Sequence, residues 1–577
     1  MIGPSVTMRL RSVVVMVGMV VVSACAKTPV RVAAAPAESF NALVEALVVD
    51  EAAANPVWAT SVGIHTHDIE LDDYSRAAIE ARDRGLAGYE QRLAALEDRQ
   101  LTFEQRLDRK ALLFRTRSKR FELTVVRSWE QNPMGYASLP GTSVDLLMKR
   151  NFAPAPERAR RVVARLRQIP RLYAQARENL KNPPPDFTDL AIRLSGGSVD
   201  FYEKTVPAWG KTAVGEDAVL GQELVQAAQA AATATRAYVS WLKTDLLPRS
   251  QGNFALGEHR FLKKLELNEM ITEPLDTLLA RGEAQLERDH AAFVETARKI
   301  DPRHSAREVM GSLAADHPTA EELLPAVRGS LESARAFVVE KDLVTIPNEH
   351  RPIIEETPPF ERSGTYASIE IPGAFEPHAS EAFFNVTPPE TSWDAKHVEE
   401  HLRLFNRPVV NLINIHEVWP GHFLQFLYEP MLPSTARKLV HASSNEEGWA
   451  HYSEQMMLDQ GFGGDNPRLR LGQLSEALLR DCRYVVGIKL HTAGMTIDEG
   501  KKMFVERCFS EPSTGYEETR RGTYDPTYLY YTYGKIEIQK LAREYVERHH
   551  GTLKDFHNAF VKAGFLPLPL ARQLVLR

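Results

Sequence analysis

Helical periodicity is the feature that most constrains the fold of this chain. Through much of the first 340 residues, apolar side chains recur at three- and four-residue steps among Ala, Leu, Arg and Glu, which is the pattern of helices with one buried face. The clearest segments are 76–96, 103–124, 157–180 with a kink expected at Pro170, 220–247, 268–300 with a break expected at Pro274, and 305–340. The sequence therefore predicts a mainly α-helical protein without the fixed-period repeat of a solenoid.

The N-terminus has the pattern of a lipoprotein signal peptide. Arg9 and Arg11 precede an apolar run of ten residues, 13–22, which is too short to span a bilayer. The run leads into Ser-Ala-Cys25, which resembles the lipobox of bacterial lipoproteins. We expect residues 1–24 to be removed and Cys25 to carry a lipid that anchors the exported protein to the cell envelope. The expected side is the periplasm, at the outer membrane in a Gram-negative cell; an ordinary cleaved signal is the alternative.

Charge and cysteine content limit the partners and cross-links of the mature chain. Charged residues make up 25% of the sequence and the net charge is −6, so no basic surface suited to nucleic acid is expected. Cys482 and Cys508 are the only cysteines besides Cys25. An exported protein could join them, but two cysteines do not make a disulfide framework. We expect both to be free and buried.

His416, Glu417 and His422 form the most informative motif of the chain. Two histidines with a glutamate directly after the first are typical of zinc hydrolases, in which the imidazoles hold the metal and the carboxylate takes a proton from activated water. Glu447 follows 25 residues after His422 and could complete a two-His, one-Glu set with a fourth position open. The pattern predicts one zinc ion per chain.

The spacing of the two histidines requires a break in the helix. The usual motif places them four residues apart on one helix face, whereas His416 and His422 are six apart. At about 100° per residue, six steps leave them roughly 240° apart around a straight helix. Pro420 and Gly421 lie just before His422, and a bulge at 419–421 would turn it back toward His416. The alternative is a helix that ends at a Pro-Gly turn and carries two ordinary histidines.

A change of pattern between residues 344 and 393 predicts a hairpin or small β-sheet beside this motif. Prolines recur there, and the runs 366–371 and 382–387 are rich in β-prone residues. An edge strand near the metal of a zinc peptidase can pair with an extended substrate, and the run 383–386 is the candidate for that role. A hairpin that serves only packing is the alternative. Residues 394–408 are predicted to be helical.

The organisation of the mature chain follows from these segments. Residues 25–38 are mostly small and indicate a tether to the membrane. Residues 39–577 are long enough for a single large helical domain. Within it, a mostly helical part, 39–340, precedes the part with the metal motif, 341–577.

The motifs resemble those of a known family, the bacterial family DUF885, which is grouped with the zinc metallopeptidases and contains many predicted lipoproteins. The resemblance rests on 416–425 and 447–454, is supported by 520–534 and 556–564, and covers nearly all of the mature chain. It implies a fold similar to that of carboxypeptidase Taq and angiotensin-converting enzyme. Those proteins are mostly helical and two-lobed, with the metal deep in a channel. For this chain we therefore expect a mainly α, two-lobed metallopeptidase-like fold, with a small β-sheet beside the metal-site helix.

The same resemblance implies a role for each motif residue. The implied zinc ligands are His416, His422 and Glu447. The implied catalytic groups are Glu417, as general base, and Tyr531 with Arg520 or Arg521, which face the substrate; which of the two arginines does so is left open. Tyrosine and arginine side chains are suited to binding a peptide carboxylate or an oxyanion.

Two polar residues after Glu447 bear on the coordination. Glu454 is expected to orient a ligand histidine through its second ring nitrogen. His451 stands where relatives have a hydrophobic residue, and it lies four residues after Glu447, on the same face of a helix. It could contact a ligand, be an additional ligand, or be exposed.

Together these expectations favour a zinc-dependent hydrolase that cleaves peptide bonds in short peptides, with Glu417 as general base. One alternative is a zinc amidase that acts on cell-wall or acylated amino-acid substrates, because the metal chemistry is the same. Another is a catalytically inactive, lipid-anchored binding protein. The sequence shows neither the Gly-x-Ser-x-Gly elbow of serine hydrolases nor a nucleotide-binding loop.

Overall fold

A small sheet lies within a mainly helical protein in the computed structural model, which describes residues 39–358, 361–362, 366–376 and 381–577. The prediction of a mainly α-helical chain is confirmed. The predicted signal peptide, tether and lipid-bearing Cys25 lie outside the described residues. From Phe40 to Arg577 the chain forms one compact unit. None of its described helices is long and apolar enough to cross a membrane.

Helices account for most of the chain before the sheet. Their bounds are α1 (Phe40–Ala54), α2 (Pro56–Ser61), α3 (Arg76–Ala95), α4 (Phe103–Phe121), α5 (Ser128–Gln131), α6 (Pro133–Lys149), α7 (Ala155–Leu166), α8 (Ile169–Asn179), α9 (Pro185–Asp200), α10 (Val206–Ala213), α11 (Ala218–Trp241), α12 (Leu247–Arg249), α13 (Glu258–Glu269), α14 (Leu275–Ile300), α15 (Ala306–Ala314) and α16 (Leu323–Glu340). Pro170 lies in the first turn of α8 and Pro274 directly precedes α14, positions where proline's missing N–H leaves no helical bond unmade. The predicted helix 305–340 is two helices, α15 and α16.

The sheet has three strands, β1 (Ile353–Glu356), β2 (Ala367–Glu370) and β3 (Phe383–Val386), in the order β1-β3-β2. Two of them match the predicted runs, and β1 was not predicted. β3 pairs parallel with β1 and antiparallel with β2. The prediction that 383–386 forms an edge strand is therefore wrong, because both sides of β3 already pair with strands. All four of its residues are buried, as is usual for a central strand.

The chain after the sheet is again helical. Its helices are α17 (Ala395–Leu404), α18 (Arg407–Glu417), α19 (His422–Leu427), α20 (Thr435–Lys438), α21 (Ser443–Asp459), α22 (Pro467–Thr492), α23 (Ile497–Cys508), α24 (Pro512–Tyr524), α25 (Tyr530–His549), α26 (Leu553–Lys562) and α27 (Leu568–Val575). α21 and α25 cross at Gly448 and Gly534, where a Cβ on either glycine would overlap the backbone of the other helix. This close approach brings Glu447 of α21 near Tyr531 of α25.

Cys482 and Cys508 form a disulfide bond between α22 and α23. The prediction that they are free is wrong, although both are buried as expected. The two helices pack side by side, and this packing places the Cα atoms 6.4 Å apart, within the range that a disulfide spans. Spacing in the sequence carries no information on that packing.

Candidate metal centre

The break between α18 and α19 turns His422 back toward His416. Glu417 is the last residue of α18 and His422 is the first of α19. Between them, the Gly421 N–H donates to the carbonyl of Ile415, 3.0 Å away, so the connection folds against the end of α18. A Cβ at Gly421 would overlap the carbonyl oxygen of His416, and only glycine fits this approach. The predicted bulge at 419–421 is confirmed.

Three donor atoms converge at this break. Nε2 of His416 lies 3.3 Å, and Nε2 of His422 3.2 Å, from Oε2 of Glu447, and the three donor atoms lie within 4.8 Å of one another. Oε2 of Glu447 is buried and makes no hydrogen bond. Two imidazole nitrogens and a carboxylate oxygen are a donor set that suits zinc. The residues therefore fit a single divalent cation.

The charges around His416 favour a cation at this point. Burial and Arg480 disfavour a charged imidazole, but Glu447 and Glu454 outweigh them and raise the pKa of His416 to about 9. Burial favours a neutral Glu447, yet His422 and His416 hold the pKa of its carboxyl well below the usual range. A divalent cation satisfies the same negative field in place of protons.

Glu454 holds the ring of His416 in place. Nδ1 of His416 donates to Oε1 of Glu454 over 2.7 Å, which leaves Nε2 for the cluster. The Glu454 side chain is fully buried, and Arg480 lies 3.2 Å from the same oxygen. His451 is also fully buried, with Nδ1 3.4 Å from the other oxygen of Glu454. His451 thus contacts the partner of a ligand; it is neither exposed nor one of the converging donors.

A cavity, here called the metal cavity, opens beside this cluster. Glu417 lines it, is only 8% exposed, and makes no side-chain hydrogen bond or ion pair within the described part of the chain. Tyr531 lines the same cavity, and its ring lies 6.3 Å from that of His416. A carboxylate without a hydrogen-bond partner, next to a candidate metal-binding cluster, is available for proton transfer.

Only one of the two predicted arginines reaches the metal cavity. Arg521 lines it and donates to the hydroxyl oxygen of Tyr531 over 3.1 Å. Arg520 points away and donates to Asp189 on α9 over 2.7 Å. The sequence left open which of the two faces the site, and the structure selects Arg521, because consecutive residues on a helix face different directions.

A match that spans most of the chain identifies its family. The model of the bacterial proteins of unknown function DUF885 matches residues 56–575. The chain belongs to the DUF885 family. No curated protein is a match for its sequence.

Two solved structures resemble this DUF885 protein over most of its length. A candidate lipoprotein of unknown function from Shewanella oneidensis is 25% identical, with a TM-score of 0.76, over 94% of this chain and 100% of that one. A candidate lipoprotein from Colwellia psychrerythraea is 16% identical, with a TM-score of 0.78, over 93% of this chain and 98% of the other. The second likeness is one of fold alone.

Two arginines that line the metal cavity of this DUF885 protein, Arg480 and Arg483, were not predicted from the sequence. Arg480 pairs with Glu476 at 2.6 Å, and Arg483 makes two bonds to Glu518, at 2.7 and 2.8 Å. A signal was present, since both arginines interrupt the apolar run 477–486 of α22. Buried charges in such a helix require partners, and these partners lie at the site.

Proposed function

We propose that this protein is a zinc-dependent hydrolase that cleaves peptide bonds in short peptides. The observation that carries the proposal is the convergence of His416, His422 and Glu447 beside the cavity that Glu417 lines without a partner. The two-lobed peptidase arrangement implied by the resemblance is part of the same proposal. The proposal rests on the geometry of the site and not on the fold, because fold alone does not specify function.

Each side chain of the site has a separate role in the proposed hydrolysis. A bound zinc ion supplies a Lewis acid that polarises a carbonyl and acidifies water. Glu417 takes the proton of the attacking water and passes it to the leaving amine. Arg521 donates to the oxygen of Tyr531, so the Tyr531 O–H remains free to donate to the oxygen that becomes negative as the carbonyl is attacked.

The sheet borders the metal cavity. Tyr366 and Ala367, at the start of β2, line the metal cavity, and β2 is an outer strand of the sheet. In this proposal β2, and not the run 383–386, lies beside the substrate.

A substitution of the proposed base tests the function. The Glu417→Gln variant keeps the size of the side chain and should retain zinc, while hydrolysis of a mixed peptide library, followed by mass spectrometry, falls by about 100-fold or more. Glu340→Gln, at the exposed end of α16, is the matched control and should leave the rate unchanged. Full activity of the Glu417→Gln variant would show that Glu417 is not the general base. Cleavage of murein fragments with no peptide cleavage would replace the peptidase by an amidase, and no hydrolysis of either would favour the binding protein.

We also propose that Cys25 anchors the protein to the cell envelope, at the periplasmic face. The lipobox-like sequence before Cys25 and the description of both structural neighbours as candidate lipoproteins support this. Cells fed a labelled fatty acid should label the parent protein and not the Cys25→Ala variant. Equal labelling of the two would contradict the proposal.

A further inference from the structure

A second cavity adjoins the metal cavity. Its lining combines aromatic rings with charged side chains of both signs. The two cavities share Tyr366 and Leu404 as lining residues, so these two side chains form the boundary between them. A substrate held at the metal cluster can therefore extend past Tyr366 into the second cavity.

Two helices run along both cavities. On α17, His397, His401 and Leu404 are spaced by four and three residues and lie on one face. On α24, Thr514 and Glu517 line the second cavity, and Arg521, one turn further on, lines the metal cavity. The two cavities thus lie next to each other along the same two helices.

Aromatic rings form one wall of the second cavity. Trp393 stacks on His397 with ring centroids 4.0 Å apart and planes 7° apart. The ring of His401 lies 5.1 Å from Trp393 and 5.7 Å from Tyr366. Aromatic faces of this kind attract cations.

One carboxylate of the lining, that of Glu390, is held in no ion pair, although its charge acts on Arg193 over a longer distance. Arg193 makes two bonds to Glu517, at 3.0 and 3.3 Å. Arg362 donates to Glu356 over 3.0 Å and to the carbonyl of Thr357. Both arginines of the lining are therefore neutralised. Glu390 also lines the cavity, is partly buried, and makes no side-chain ion pair or hydrogen bond to any described residue.

We infer that the second cavity is a specificity subsite for a basic side chain of the substrate. Glu390 supplies the opposing charge, and the rings of Trp393 and Tyr366 supply the faces on which an ammonium or guanidinium group packs. This inference depends on the proposed function in one respect: it assumes that the substrate runs from the metal cluster into the second cavity. The preferred substrates are then short peptides with a lysine or arginine outside the cleaved bond.

Binding measurements test the subsite independently of hydrolysis. The experiment uses the zinc-loaded mature protein with Glu417→Gln, which prevents turnover, and calorimetric titration with peptides that differ only by lysine, norleucine or glutamate at each position in turn. At one position the lysine peptide should bind about tenfold more tightly than the norleucine peptide. Adding Glu390→Gln should abolish that ratio, adding Trp393→Leu should reduce it, and adding the control Glu340→Gln should preserve it.

The outcomes separate the subsite from the hydrolase. A lysine preference that depends on Glu390, in a protein that cleaves no peptide, retains the subsite and removes the proposed function. Cleavage without any preference for a basic residue overturns the subsite alone. Equal binding of lysine and norleucine peptides at every position, tighter binding of a glutamate peptide, a ratio unchanged by Glu390→Gln, or no binding of any peptide also overturns it.

Discussion

Helices α11 and α22 are similar in length, yet they bury different kinds of side chain. The inner face of α11 carries Leu224, Ala228 and other small or apolar residues, which stabilise the fold by burial alone. The buried set of α22 includes Arg480, Asp481 and Arg483. Buried charges cost stability unless they are paired, and the arginines of α22 are paired at the metal cavity. The α11 region therefore contributes mainly to the stability of the fold. The α22 region holds paired charges at the site, at some cost in stability.

Truncating a core residue of α11 should affect stability and leave the metal site intact. Leu224 is 1% exposed, whereas its neighbour Val225 is 51% exposed. Leu224→Ala should lower the free energy of unfolding by about 2–5 kcal/mol, while Val225→Ala, the matched control, changes it by about 0.5 kcal/mol or less. Urea denaturation and zinc titration of the folded variants measure both effects. If Leu224→Ala also lowered the zinc affinity, the α11 region would not be separate from the metal site in its effect.

The disulfide of the α22 region should contribute to stability and have little effect on the site. Replacing both Cys482 and Cys508 with alanine should lower the free energy of unfolding by about 2–4 kcal/mol. Cys508→Ala alone should cost nearly as much, because either change removes the bond. Neither cysteine lines the metal cavity, so zinc affinity should be retained. If the parent protein were equally stable with and without a reductant, the thiols would be free, as the sequence analysis expected.

Changing Glu454 should weaken metal binding in the folded variant. Glu454→Gln keeps the size of the side chain but removes the charge that holds His416. Loss of such a partner weakens metal binding by about 10–100-fold. Competition with a chelator measures the affinity, with Glu340→Gln as control. Unchanged affinity would show that Glu454 does not orient the ligand.

His491 at the end of α22 should make stability depend on pH. Burial outweighs its hydrogen bond to the Gly522 carbonyl and lowers the pKa of His491 to about 4, against about 6.5 in the unfolded chain. As the pH falls from 6.5 to 4, the unfolded state takes up a proton that the folded state does not, so stability decreases. His491→Gln should reduce this slope by at most about 1.4 kcal/mol per pH unit.

Denaturation of parent and variant between pH 4 and 7 tests this smallest effect. His350→Gln, an exposed site, is the control and should leave the slope unchanged. An identical slope for parent and His491→Gln would show that folding does not shift the pKa of His491.

Local patterns in the sequence were sufficient for much of the fold and for the centre of the site. Periodicity located the helices, and proline positions located the breaks at Pro170 and Pro274. The identities of Pro420 and Gly421 were enough to predict the bulge that returns His422 to His416, because the constraint acts within a few residues.

Features that depend on packing between distant segments were not predictable. The central position of β3 depends on β1, whose Ile353–Glu356 run has little strand signal of its own. The disulfide and the choice of Arg521 over Arg520 depend on how α22, α23 and α24 pack. Each of these features follows from contacts between helices or strands, which a single sequence does not specify.

Metal analysis of the purified protein tests the central claim most directly. After exposure to zinc and dialysis, the account predicts one zinc per chain in the parent and essentially none in folded His422→Ala or Glu447→Ala, while Glu417→Gln keeps its zinc. A parent protein without bound metal, or variants that retain as much zinc as the parent, would contradict the account.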